Sequence, residues 1–194
     1  MKKILYVFLV GSITIPSVTV ASDYGIGVSI KSSDVSVYIP IRLNESLFLE
    51  PYIRLFSYDD SSSGVVVLNR ESSSDTYDVG LGVFRLLDST NGLSPYYGAR
   101  IGYLNRESNY ESRSSSGTWG SETKSRGFNF SPTIGVKYSL YENISVDFEA
   151  EWYYTKLDND GVEKSSGLTP SNEITEGTQT SSGTNTRIIV RYFF

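Results

Sequence analysis

Residues Ile144 to Thr155 set the pattern from which the rest of the chain can be read. Ile144, Val146, Phe148, Ala150, Trp152 and Tyr154 fall on one side of an extended chain, and Ser145, Asp147, Glu149, Glu151, Tyr153 and Thr155 fall on the other. Strict alternation predicts a strand with one apolar and one polar face, whereas a helix would scatter the same carboxylates around its circumference. The pattern recurs. Phe128, Phe130, Pro132, Ile134, Val136, Tyr138 and Leu140 alternate with polar or small residues, and Ile188, Val190, Tyr192 and Phe194 alternate with Arg187, Ile189, Arg191 and Phe193. Leu47, Leu49, Pro51, Ile53 and Leu55 oppose Glu50, Tyr52 and Arg54; Tyr77 to Val83 and Tyr97 to Tyr103 behave likewise. With the shorter segments Tyr24–Lys31 and Val35–Arg42 the count is about eight strands. Pro40, Pro51 and Pro132 cannot donate to a ladder, so bulges or local distortion must absorb them.

The links between strands differ in length. Short ones lie near Ser32–Asp34, Leu43–Ser46, Asp88–Ser94 and Tyr141–Asn143, and long polar ones near Asp59–Asp75, Arg106–Ser125 and Asp158–Gly183. Membrane barrels keep turns short on the periplasmic side and loops long outside. Aromatic residues gather at both ends of the apolar face: Tyr77, Tyr103, Phe128, Trp152 and Tyr154 at one, and Tyr24, Tyr97, Tyr138, Tyr192 and Phe194 at the other. Two such rings match the interfacial girdles of transmembrane barrels. The predicted fold is therefore all-β, an eight-stranded antiparallel up-and-down transmembrane β-barrel with both termini periplasmic. A soluble secreted β-protein is the structural rival, and it has no reason to carry the two girdles.

The N-terminus changes the picture in one respect. Lys2 and Lys3 precede a continuous apolar run, Ile4 to Ile15, and small residues follow Pro16 at Thr19, Ala21 and Ser22. This is the layout of a cleaved secretory signal, and the run is too short to span a bilayer as a helix. Residues 1–21 are read as the signal and 22–194 as the barrel domain. Losing the two lysines takes the formal net charge from −5 to −7, which argues against nucleic acid as a partner. The chain has no cysteine. Disulfides therefore cannot stabilise this exported domain, and closure of the sheet in lipid can.

These residues resemble the small outer-membrane barrels of the OmpA transmembrane-domain and OmpX/Ail type, over Tyr24 to Phe194. The likeness rests on strand count, sorting of the links and the terminal Phe194, preceded at alternate positions by Tyr192, Val190 and Ile188. In that group such a terminus is the signal read by the barrel-assembly machinery, so the resemblance implies an assembly signal at Ile188, Val190, Tyr192 and Phe194, residence in the outer membrane, and lipid and lipopolysaccharide as neighbours.

Candidate chemistry is sparse. There is no histidine, so no Ser-His-acid arrangement and no His/Cys metal site can be assembled, and no cofactor is expected. Asp147, Glu149 and Glu151 could supply the two acids of a carboxylate-only hydrolase, but strand alternation alone explains their spacing. The expectation is a non-enzyme whose polar face turns inward as an ion-paired core: Glu50, Arg54, Asp78, Arg100, Lys137, Asp147, Glu149, Glu151, Arg187 and Arg191. In a simple hairpin register Asp147 faces Arg191 and Glu151 faces Arg187, with Lys137 near Asp147. Charges enclosed in low dielectric must be paired or hydrated. The long links are acidic and Ser-rich, suited to surface interaction, adhesion or host contact. The alternative is a narrow channel for water, ions or very small solutes, with inward Gly25, Gly27, Gly80, Gly82, Gly98, Gly102 and Gly135 leaving gaps near one wall.

Overall fold

In a computed structural model, residues 24–31, 34–62, 67–114, 117–166 and 171–194 are described; the candidate signal, 1–21, lies outside them. The strands are β1 (Gly25–Lys31), β2 (Asp34–Tyr38), β3 (Ile41–Arg42), β4 (Leu47–Ser62), β5 (Val67–Leu86), β6 (Leu93–Ser114), β7 (Gly117–Ser139), β8 (Ile144–Ser166) and β9 (Ser171–Phe193). All neighbours are antiparallel, and pairing of β1 with β9 and of β2 with β4 closes the sheet into a ring. Among the described residues these nine segments make eight staves. β2 and β3 are halves of one stave: Tyr38↔Tyr52 and Ile41↔Leu49 keep one register across Ile39 and Pro40.

The prolines cost little order. Pro132 interrupts pairing with β8 between Phe130↔Tyr154 and Thr133↔Glu151, yet the register is the same on both sides, so the interruption is local and no bulge forms. Pro51 offers its carbonyl to Ile39 N at 2.9 Å. The link after β5 is closed by Asn91 and Gly92, both with positive φ, as a two-residue type I′ turn requires.

Closure brings the strands round with a stagger. Gly27 pairs with Tyr38, Tyr38 with Tyr52, Tyr52 with Gly80, Gly80 with Gly102, Gly102 with Asn129, Asn129 with Thr155 and Thr155 with Ser181. Gly27's own partner on β9 is Arg191, ten residues beyond Ser181. A shear of ten over eight staves, with strands just under 5 Å apart, tilts them by about 40°.

Side-chain burial is inverted relative to a soluble protein. Ile101 (59 %), Ile134 (65 %) and Phe148 (55 %) are exposed on the outer wall, while Glu50 (0 %) and Arg100 (1 %) are buried within. The outer wall is the lipid-facing surface and the inner wall carries the charge.

One expectation needs correcting. The long polar links near 59–75, 106–125 and 158–183 are largely strand: β4 through β9 run far past the β1–β2 hairpin, with paired residues up to Ser62↔Arg70, Ser114↔Gly117 and Ser165↔Ser171. β1 pairs with β9 only over Gly25–Val28 and Val190–Phe193, and β2 reaches Phe56 on β4. Beyond that level six strands continue as a curved wall. Both faces of this extension meet water, so nothing selects apolar alternation and the sequence there reads as loop. Ser and Thr keep the ladder without advertising it.

Candidate functional site

Strand parity sends one set of side chains inward. Nearest the short turns lie Phe48, Phe84 and Tyr96, with Leu86 packed against them. The Phe48 and Phe84 rings stack at 5.0 Å between centroids, and Tyr96 meets Phe84 edge-on at 5.7 Å. At the mouth below, Lys137 pairs in register with Asp147 and holds its ammonium 4.4 Å from the Phe193 ring centroid.

Above the aromatic layer lies a buried ionic cluster. Arg100 donates through Nη1 and Nη2 to both oxygens of Glu149, each at 2.8 Å, and through Nη2 to Glu50 Oε1 at 2.6 Å. Arg191 donates to Glu50 Oε2 from Nε (2.9 Å) and Nη2 (2.5 Å), and from Nη1 to Asp147 Oδ2. Tyr96 Oη donates to Glu149 Oε1 at 2.7 Å, and Ser145 Oγ to Asp147 Oδ1 at 2.9 Å. The two guanidiniums also lie over rings, Arg100 over Phe84 at 4.6 Å and Arg191 over Phe48 at 5.8 Å. Carboxylates and π faces around these planar cations offset the cost of taking them out of water.

A third layer follows toward the projecting end. Arg187 donates to Tyr38 Oη at 2.6 Å and to Glu151. Arg54 lies 3.7 Å from Asp78, and Tyr52 Oη donates to Asp78 Oδ1 at 3.2 Å. Across the three layers the buried carboxylates Glu50, Asp78, Asp147, Glu149 and Glu151 are met by Arg54, Arg100, Arg187 and Arg191, with Lys137 and Arg42 at the lower mouth beside the Phe193 ring. Leu104 and Leu157 are buried beyond the third layer.

Two expectations change here. The final hairpin is offset by two residues from the simple register: Asp147 is opposite Ile189, Glu149 opposite Arg187 and Ser145 opposite Arg191. The Arg191–Asp147 and Arg187–Glu151 contacts are therefore diagonal, spanned by the length of arginine. The inward glycines, for their part, do not leave gaps. A Cβ on Gly102 would strike Tyr52 Oη and Asp78, one on Gly135 would stand 2.5 Å from the Tyr96 ring, and one on Gly82 would strike the Phe84 ring. The glycines are the space into which Tyr52, Tyr96 and Phe84 fold. Those aromatics, with Tyr38 and Ile189, are inward residues absent from the charged set, although they share its parity (Phe48 and Tyr52 flank Glu50).

At the projecting end a cavity of about 710 Å³ is lined by Asp59, Asp60, Glu71, Tyr110, Glu122 and Lys164, among others. Tyr110 packs on Trp119 at 4.9 Å, with Arg70 over its ring at 5.0 Å. No group of three or more acidic side chains is arranged to hold a metal among the described residues.

A ring-closed antiparallel sheet with an apolar exterior, aromatic belts and an ionic interior defines an integral membrane β-barrel. The chain belongs to the outer membrane protein beta-barrel domain family, whose model matches residues 6–185. It is an outer-membrane protein. Among solved structures it is similar to a major outer membrane protein from Thermus thermophilus (TM-score 0.61, 10 % identity, covering 90 % of this chain and 100 % of that one), a likeness of fold alone. It also overlaps with CarO of Acinetobacter baumannii (TM-score 0.47, 14 % identity, 89 % and 97 %) and Neisserial surface protein A (TM-score 0.48, 14 % identity, 89 % and 94 %). No curated protein matches the chain in sequence.

Proposed function

We propose that the protein is a plugged outer-membrane barrel, non-enzymatic, that serves the cell surface through its projecting strands. Its short turns and both chain ends face the periplasm, and β4 to β9 project outward into the medium. The observation that carries this reading is the neutral, buried network of Glu50, Arg100, Glu149 and Arg191 packed between aromatic side chains. An eight-stave barrel is just wide enough for its own side chains to fill, and here the buried carboxylates lie against guanidiniums. The projecting wall is acidic, with Asp59, Asp60, Glu71 and Glu122 around its cavity, and suits contact with host or neighbouring surfaces. Ile188, Val190, Tyr192 and Phe194 are exposed on the outer wall, where the barrel-assembly machinery would read them.

A second reading, a conduit for water or very small ions, is favoured by Arg54 Nε, Asp78 Oδ2 and Glu151 Oε2, which are buried without a direct hydrogen-bond partner and suit hydration. Single-channel recording in planar bilayers separates the two. The plugged barrel gives no steady openings at any applied potential; reproducible unitary steps from the purified protein overturn it.

A further inference from the structure

The sheet closes into a ring only at membrane level, so the wall above it has two open sides. β2 leaves β4 at Phe56, and β1 leaves β9 at Val190. Residues 171–189 of β9 therefore have β8 as their one strand neighbour among the described residues. Every second residue of such an edge turns its N–H and C=O to the open side, where water alone meets them. Burial follows the pairing. Residues 173–182 are all exposed, Ile174 by 77 %, although the β8 residues opposite them include buried Leu157 and Gly161.

The stagger of the ring keeps this edge clear. Tyr52, Tyr38, Gly27 and Arg191 are level across the closure. Moving outward by equal steps from Tyr52 on β4 and from Arg191 on β9, Ser62 is level with Ser181. β4 ends there, so no described strand stands across the opening from residues 173–180.

Charge on the same stretch is unbalanced. Glu173 is directly opposite Glu163 on β8, and Glu176 is directly opposite Asp160. Like charges so placed weaken a ladder. The bases of β8 do not offset them, since Lys156 and Lys164 are in register with Thr180 and Asn172. Lys124, level with Asp160 on β7, lies 3.8 Å from Glu107 and 3.9 Å from Glu122, and Ser121 is level with Glu163. The one side from which a base could reach both Glu173 and Glu176 is the open one.

We infer that the free edge of β9 binds an extended basic segment of another protein, added antiparallel as a further strand. One Lys or Arg stands beside Glu173, another beside Glu176, and an apolar residue beside Ile174. The inference deepens the surface-contact reading above and rests on it for the compartment that supplies the partner. Backbone bonds hold the added strand, and the carboxylates select it. A second copy of this chain is the wrong occupant: its β9 brings Glu173 and Glu176, and its β4 brings Asp59 and Asp60, so carboxylates again meet carboxylates. A free cation offsets the charge and leaves the backbone edge unpaired.

The test is binding of a fluorescent threonine-rich peptide to the full mature chain in detergent. The peptide carries two lysines at the spacing of Glu173 and Glu176 and a valine set to meet Ile174. Detergent leaves both ends of the barrel accessible, so the result is independent of orientation, which protease access on cells decides separately. Replacing both lysines by glutamate is expected to weaken binding about tenfold. Methylating the peptide nitrogens that face the edge is expected to abolish it. Glu173→Gln with Glu176→Gln is expected to lose the preference for lysine. Glu71→Gln with Glu111→Gln, an opposed pair on β5 and β6 with strands on both sides, is expected to keep it. Bound peptide is expected to slow amide exchange within 173–180 and nowhere else in the wall. Equal binding of the lysine and glutamate peptides by the unaltered protein overturns the inference, and so does undiminished binding of the methylated peptide. Protection of the same amides without peptide, rising with protein concentration, overturns it in favour of a second copy.

Discussion

Glu50 accepts from two arginines that come from opposite sides of the ring, Arg100 on β6 and Arg191 on β9. Removing one member of such a set strands the others without water to replace it. Arg191→Ala is therefore expected to cost about 3–5 kcal/mol, the usual penalty for breaking a buried pair. Arg54, whose side chain is 19 % exposed and makes only contacts of 3.7 Å and beyond, is expected to cost much less. Urea midpoints of the refolded variants in lipid check both, and equal midpoints for Arg191→Ala and the unaltered protein would remove the network from any account of stability. Parity along each strand assigned the ten charged residues to one face, because the apolar face has to meet lipid. Their partners were not legible. Parity gives no height, and Glu50 meets Arg191 only because the ring closes with its stagger between β1 and β9, a pairing across nearly the whole chain. The fit of Tyr52 against Gly80 and Gly102 was hidden for the same reason: it needs three strands in a known register.

Among the elements, the β8–β9 hairpin separates what pattern can and cannot specify. Alternation fixes which residues face lipid, and any register shifted by two residues preserves it. Read as sequence, the polar stretch joining these strands offers Asp160-Gly161 as a tight-turn signal, but both residues lie within β8 and paired to β9, so that signal does not pin the register. It is set instead by the ladder, in which Val146 is opposite Val190 and Phe148 opposite Ile188. A chain free of cysteine makes this directly measurable. Val146→Cys with Val190→Cys is expected to cross-link on mild oxidation, since opposed residues lie within disulfide reach. Phe148→Cys with Val190→Cys, the partners in the simpler register, is expected to cross-link poorly. Mobility on non-reducing gels reads the outcome, and the reverse ranking would restore the simpler hairpin. The extensions of β4 to β9 show the complementary blindness. Their Ser, Thr and acidic residues satisfy a ladder as well as a loop, and with water on both sides there is no periodicity to read.

At the scale of the whole molecule, two bodies share six strands: a closed, ionically filled ring at membrane level and an open, hydrated wall beyond it. Their susceptibility to attack should differ accordingly. The wall carries Arg113, Lys124, Arg126, Lys156 and Lys164 at exposed or partly exposed positions, whereas Arg100, Arg187 and Arg191 are sealed in the ring. Backbone cleavage requires local opening, and a wall with few buried apolar contacts opens far more readily than the ring. Trypsin added to intact cells is thus expected to clip at wall sites between Arg70 and Lys164 while the ring stays assembled, so that the unboiled sample still migrates as a folded species and only boiling separates its fragments. If the long strands face the periplasm instead, the same clipping appears only after the outer membrane is permeabilised. If the wall and ring form one cooperative unit, no clipping occurs in either case, and loss of the folded band then coincides with the first cut at higher temperature. The three patterns are distinct on a single gel, and only the first shows a wall that opens independently of the ring at the outer surface of the cell.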